Sequence, residues 1–172
     1  MKIPRLAYAA YGFALLVIVL DQLTKVWVVN GLDLPEVRQI LVWDPVLNFT
    51  WVRNFGVSFG LFGDGSARWL LIVFSIAVSI FLAVWATKAD RRLLISAIGL
   101  VMGGALGNVI DRIRFGYVVD FLDVSGLGFP WVFNIADAAI NVGVALLILD
   151  AVVSERAMRR AGGGQTGENR VS

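Results

Sequence analysis

Apolar residues arrive in four long blocks, each separated from the next by a polar connection. Leu6 to Leu20 carries no charge, and its apolar pattern runs on through Trp27, Val28 and Val29. Trp69 to Thr87 is a second uncharged run, with Trp69 and Trp85 marking its two interfaces. Two further blocks follow. About 20 apolar residues at about 1.5 Å each cross the hydrocarbon core of a bilayer. The pattern therefore predicts helices over about 6–29, 68–87, 93–113 and 134–154. The basic start, Met1 to Arg5, with an apolar run behind it also has the look of a signal peptide. The run is too long for that, and no small-residue cleavage site follows it, so it reads as a first membrane helix.

The connections differ in kind. Between the first two blocks lie Gln39–Trp43 and Val46–Val52, rich in β-branched and aromatic residues, with Asp44-Pro45 as a turn between them. They predict a small sheet within 36–62 that rests on the membrane surface. Residues 114–133 read as a second long loop. The basic tail, 155–172, contains Ala161-Gly162-Gly163-Gly164-Gln165 and reads as disordered. The expected fold is a mainly α membrane protein with four transmembrane helices and a small extracytoplasmic β-sheet, forming one domain over 1–154.

Composition narrows the chemistry. The chain is 58% hydrophobic and 16% charged, too little polar surface for a soluble domain of 172 residues. It has no cysteine and no histidine, which removes thiolate catalysis, disulfides, a Ser-His-Asp triad and His- or Cys-ligated metals. The net charge of +2 sits at segment ends, where it suits orientation in a membrane better than nucleic-acid binding. Nine of the fifteen basic residues fall in three clusters: Lys2 and Arg5; Lys88, Arg91 and Arg92; Arg156, Arg159, Arg160 and Arg170. With four spans these lie on one side, which the positive-inside rule assigns to the cytoplasm. Both long connections then face outward. The outer ends of helices one, three and four bring Asp21, Lys25, Asn108, Asp111, Arg112, Asn134 and Asp137 into one layer.

Ionisable residues at membrane depth are costly and point to function. Asn134 and Asp137 share a helix face at i, i+3, and Asn108, Asp111 and Arg112 share another at i, i+3, i+4. Asp120, in the connecting loop, can fold back to meet Asp137. Two neighbouring carboxylates in a partly dry site share a proton, so one can activate water and the other can act as acid. Bland readings stand beside these. Asp137 fits a helix N-terminal acid, Asp120 a solvated loop acid, Asp21 and Lys25 a structural ion pair, and Arg112 a snorkelling interfacial residue. Asp123 competes with Asp120. Asp150, near the inner end of helix four, reads as structural, and Gly103, Gly104 and Gly107 as packing residues. Gly60-Leu61-Phe62-Gly63-Asp64 has the wrong spacing for a Gly-x-Gly-Asp protease motif. Ser58 with Lys25 is chemically able to form a nucleophile pair, though nothing local singles Ser58 out.

Five blocks, in order, carry a resemblance: Asp21-Gln22-Leu23-Thr24-Lys25; Asn54-Phe55-Gly56-Val57-Ser58-Phe59-Gly60; Gly103 to Arg112; Val119-Asp120-Phe121; and Phe133-Asn134-Ile135-Ala136-Asp137. The chain resembles the lipoprotein signal peptidase (signal peptidase II) family of the bacterial cytoplasmic membrane over nearly all of residues 6–154. Val57-Ser58 stands where many relatives have Ala-Ala. The resemblance implies an aspartic endopeptidase that removes the signal peptide from diacylglyceryl-modified prolipoproteins, cutting just before the lipidated cysteine. It implies Asp120 and Asp137 as the catalytic pair, Asn54 and Arg112 as substrate contacts, and Asp21, Lys25, Asn108, Asp111 and Asn134 as supports. No metal and no cofactor is expected. The expected setting is a monomer among membrane lipids of the inner membrane, both termini cytoplasmic and the site at the outer face. Trp43, Phe49, Trp51 and Phe55 are placed to lie along acyl chains as interfacial aromatics. A small transporter with an ion path through Asp21, Lys25, Asp111, Arg112 and Asp137 is the competing reading. It would need polar residues through the full depth, and the inner halves of the helices are almost bare. A scaffold subunit is the third reading, and it has no need of paired acids at one depth.

Overall fold

The structure, a computed structural model, describes residues 4–56 and 66–168. Ser58, Gly60-Leu61-Phe62-Gly63-Asp64 and the end of the expected sheet region lie outside the described residues.

Four helices are long and apolar enough to cross a membrane. Helix α1, Arg5–Val26, starts after Pro4, which cannot donate a backbone hydrogen bond, and continues as a π-helical turn, Trp27–Gly31. A single short turn, α2, spans Leu34–Val37. Helices α3, Ser66–Ala86, and α4, Arg92–Phe115, follow the sheet's first strands. Helix α5, Ile135–Glu168, runs well past the expected end at 154, into the segment expected to be disordered. The physical reason lies in the residues after Ser154. Glu155, Arg156, Ala157, Met158 and Arg159 are good helix formers, and Arg159 pairs with Glu155 one turn away.

Helix α4 is the centre of the bundle, with α1, α3 and α5 packed around it. Its small residues make this possible. A side chain at Gly103 would meet the Ala14 carbonyl oxygen of α1, and one at Gly104 would overlap the Ala136 carbonyl oxygen of α5. The apolar core lies between α1, α3 and α4, around Ala7, Ala10, Leu82, Ile95 and Ile98. Outward-facing side chains such as Leu16, Phe74, Phe81 and Ile148 are exposed, as lipid contact requires.

At one end a four-stranded antiparallel sheet covers the bundle, in the order β1-β2-β3-β4: Gln39–Trp43, Leu47–Asn54, Val118–Asp123 and Val132–Phe133. The first two strands match the sequence expectation. The connection after α4, expected to be a loop, supplies the other two. Gly116, at φ +83°, ends α4 in the left-handed region and turns the chain directly into β3. Strand β3 is a run of β-branched and aromatic residues, Val118-Val119-Asp120-Phe121, and is almost wholly buried. Trp51 also departs from expectation. It is buried with Val28, Leu34, Val119 and Phe121 beneath the sheet, so it cannot lie along acyl chains, whereas Trp43 and Phe55 are exposed.

Candidate functional site

The polar layer is built in two tiers. The lower tier centres on Lys25 of α1. Its ammonium lies 2.8 Å from Asp21 Oδ2 and 2.8 Å from Asp111 Oδ2 and is 3% exposed. The expected i, i+4 pair is therefore real, and it is also bridged to α4. Each acid then ties down a further element. Asp21 Oδ1 accepts the Ala136 backbone N–H at 3.0 Å, taking up one of the orphan donors at the start of α5. Asp111 Oδ2 accepts the Val119 N–H at 3.0 Å, fixing β3 beside Asp120. Removal of two carboxylates and an ammonium from water is costly, and only this close mutual pairing makes the tier tolerable.

Lys25 also donates to Asn108 Oδ1 at 3.3 Å. That bond, with a second to the same oxygen from the Asn134 amide nitrogen at 3.3 Å, decides which way the Asn108 amide points. Its nitrogen faces up and donates to Asp137 Oδ1 at 2.7 Å. The upper tier repeats the device. Asn134, at the N-cap of α5, accepts the Asp137 N–H on Oδ1 at 2.9 Å, so its amide nitrogen is left to donate to Asp120 Oδ1 at 2.6 Å. Asn54 of β2 donates to Asp120 Oδ2 at 2.9 Å, while its own Oδ1 accepts the Gly56 N–H. Asp120 is on a strand, not in a loop. It sits opposite Val52, where β2 bulges between Phe49 and Val52. That register puts Asn54, two residues along the same face, diagonally across from it.

Asp120 and Asp137 thus face the same group of amides from two elements. Asp120 is 1% exposed. Burial, and after it the negative charge of Asp137, push its carboxyl up to about 6, against the pull of the Asn54 and Asn134 hydrogen bonds and of Lys25. Arg112 lies a turn beyond Asn108 and donates to its backbone oxygen at 3.5 Å. It lines a cleft of about 340 Å³ together with Asn108, Asp137, Leu71, Phe74 and Ile140.

All nine residues singled out from the sequence enter this layer or line its cleft. Asp123 does not. Thr50 Oγ1 and the Ser125 N–H donate to it at the far end of β3. Asp150 is at the opposite end of the bundle, where Arg91 lies 2.8 Å from it. One participant had no role assigned from sequence. Gln22 donates to Asp111 Oδ1 at 2.9 Å and lies within reach of Asp21 Oδ2 and the Gly107 carbonyl. Its position beside Asp21, three residues before Lys25, was the available signal.

Four apolar spans with a buried layer of acids and amides at one end of the bundle define a polytopic membrane protein. The family model for signal peptidase (SPase) II matches residues 13–153. A lipoprotein signal peptidase of Caulobacter vibrioides is 52% identical over 157 residues, covering 90% of this chain and 93% of its own. One from Shewanella pealeana is 45% identical over 159 residues, covering 89% and 91%. A bacterial membrane enzyme solved by the in meso method at 1.9 Å resolution is 31% identical, with a TM-score of 0.72 over 83% of this chain and 91% of that one. Another, at 2.3 Å, is 32% identical, with a TM-score of 0.70 over 85% and 88%. The chain belongs to the signal peptidase II family and is a bacterial membrane protease.

Proposed function

We propose that the protein removes the signal peptide from diacylglyceryl-modified prolipoproteins, cleaving just before the lipidated cysteine, with Asp120 and Asp137 as its catalytic pair. The observation that carries this reading is the convergence of two carboxylates on amides whose orientation is fixed, with Asp120 pushed up to about 6 by burial and by its partner's charge. Two neighbouring acids in a partly dry site favour a state in which one of them holds a proton. The ionised member takes a proton from a bound water as the water oxygen bonds to the scissile carbonyl carbon. The protonated member gives its proton to the carbonyl oxygen. A proton then passes to the amide nitrogen, the carbon–nitrogen bond breaks, and the carbonyl re-forms, leaving an acid and an amine. No covalent enzyme intermediate is needed.

The remaining residues take roles around that step. Asn54 and Arg112 bind substrate backbone, and Arg112 does so as a permanent cation. The cleft between α3 and α5, apolar along Leu71, Phe74 and Val101 with Arg112 and Asp137 at its end, receives the signal-peptide helix. The three basic clusters orient the protein in the inner membrane with both termini cytoplasmic and the acid pair at the outer face. Reporter fusions after Arg92 and after Ser172 should score inside, and one near Asp64 outside.

The direct test is cleavage of a lipidated precursor by the purified protein. Asp120→Asn and Asp137→Asn should each fold, insert and lose nearly all turnover. The double variant should be scarcely worse, because the pair acts as a unit. Ser58→Ala and chelators should leave activity intact. Near-normal cleavage by either Asn variant, with activity abolished in Ser58→Ala, would replace this reading by a Ser/Lys mechanism.

A further inference from the structure

Asp137 stands between two grooves. One is the cleft toward α3. The other, of about 510 Å³, runs along a neighbouring strip of α5 and is lined by Trp131, Phe133, Asp137, Ile140, Asn141 and Val142. Ile140 borders both. The two are built differently. The cleft lies between two helices packed on α4, which suits another helix. The second groove has α5 on one side and the short strand β4 with Trp131 on the other. Beyond it, exposed Val144, Ile148 and Leu149 continue toward the far end of the span. Flexible chains can enter such a surface sideways from the bilayer.

Asn141 is out of place there. It follows Asp137 by one helical turn, so its Cα lies about 6 Å further into the span. Its side chain is exposed on a helix face that is otherwise apolar. Asn108 and Asn134 are engaged with the acid pair, and Asn141 takes no part in that network. An amide on the lipid side of a membrane helix has no water to replace a missing partner, and polar residues at such depth point to a ligand.

We infer that Asn141 is a specificity-determining residue for the substrate's lipid, its amide N–H donating to a glyceryl ester carbonyl of the modified cysteine while the acyl chains lie along the second groove. This rests on the function proposed above. The chemistry and the depth agree. The glyceryl unit hangs by its sulfur from the residue that contributes the scissile nitrogen, so its esters lie within about one helical turn of the scissile bond. Acyl chains must run into the membrane, so the esters sit deeper than that bond. Asn141 is displaced from Asp137 in the same direction and by the same step.

The test uses two precursors identical except that one carries ester-linked diacylglyceryl and the other ether-linked dialkylglyceryl, which has no carbonyl. The unaltered protein should cleave the ether form with KM raised about five- to tenfold, as loss of one hydrogen bond predicts, at similar kcat. Asn141→Leu should show that raised KM on both forms, and Asn141→Gln should keep part of the ester preference. Thermal melting should find Asn141→Leu as stable as the unaltered protein, since the position faces lipid. Equal KM for the two precursors with the unaltered protein, or an ester preference that survives in Asn141→Leu, would overturn the inference. Cleavage of neither precursor by the unaltered protein would instead sink the proposed function, and this inference with it.

Discussion

The Asn134 amide nitrogen donates to Asp120 Oδ1 at 2.6 Å. It can do so only because the other end of the same amide accepts the Asp137 N–H at the start of α5. One side chain therefore sets the first turn of a membrane helix and the position of an acid on a neighbouring strand. The two jobs are separable. Asn134→Ser keeps an oxygen for the cap and loses the amide donor, whereas Asn134→Ala loses both. The Ser variant should melt close to the unaltered protein yet show kcat reduced about tenfold, the scale of one hydrogen bond to a charged group. The Ala variant should lose a further ~1 kcal/mol of stability from the missing cap. Full kcat in Asn134→Ser would mean that the amide does not position Asp120.

Close helix approach is a second requirement of the site. Gly104 meets the Ala136 carbonyl oxygen, which is backbone and cannot swing aside. Gly104→Ala must push α5 away from α4, at about 1–3 kcal/mol for overpacking. Because α5 carries Asp137, turnover should fall with stability. Gly12→Ala is the control, since nothing lies within 4 Å of its position. Unfolding in detergent micelles and kcat on one precursor check both variants.

Much of this arrangement is legible in the sequence, for reasons that can be named. Run length alone marks four spans, and the basic clusters group the polar helix ends of α1, α4 and α5. The β-branched content of Gln39–Trp43 marks a strand. The second half of the sheet is harder to read. Val118-Val119-Asp120-Phe121 has strand composition, but its partner Val52 is far away in sequence, and a buried Asp inside an apolar run is not a strand signal. Its meaning comes from Asn54 and Asn134, which only the fold brings to it. The end of α5 lies beyond the expected 154 because hydropathy reports where the membrane stops, and a helix of Ala, Arg, Glu and Met need not stop there.

The raised Asp120 carboxyl carries a stability signature whose sign is fixed. In the unfolded chain it titrates near about 3.9, and in the folded protein at about 6. Between these values the folded state holds more protons, so the protein loses stability as pH rises from about 4 to about 6 and keeps that penalty above it. Asn cannot ionise. Relative to the unaltered protein, Asp120→Asn should gain about 3 kcal/mol between pH 4 and pH 8, with most of the change below about pH 6. Any mismatch between the new amide and the Asn54 donor costs the same at every pH and leaves the slope alone. Unfolding free energies of both proteins across this range check it, and a flat difference would contradict the burial argument.

Arg112 borders the cleft beside Asp137, and its Nε is buried without a hydrogen-bond partner among the described residues. A guanidinium stays protonated and offers donors in a planar fork. Arg112→Lys keeps the charge and loses the fork. Its KM for a lipidated precursor should rise about tenfold with a smaller change in kcat, on the scale of one or two lost hydrogen bonds. Unchanged kinetics would favour a residue that only snorkels.

Lys25 combines a stabilising role with an orienting one, and variants can pull them apart. Its ammonium is 3% exposed and lies 2.8 Å from Asp21 and from Asp111, so Lys25→Met strands two buried carboxylates. Breaking a buried ion pair from one side costs about 3–5 kcal/mol, and this variant should accumulate poorly or unfold early. Lys25→Met combined with Asp21→Asn and Asp111→Asn removes all three charges. Asn oxygens at both acid positions can still accept the Ala136 and Val119 N–H groups, so most of the lost stability should return. The donor to Asn108 Oδ1 does not return. That oxygen is then held by the Asn134 amide nitrogen alone, at 3.3 Å, so the Asn108 amide is less firmly turned toward Asp137, and kcat should stay about tenfold below the unaltered protein despite restored melting. A triple variant that recovers both melting and kcat would show that the lower tier serves stability alone.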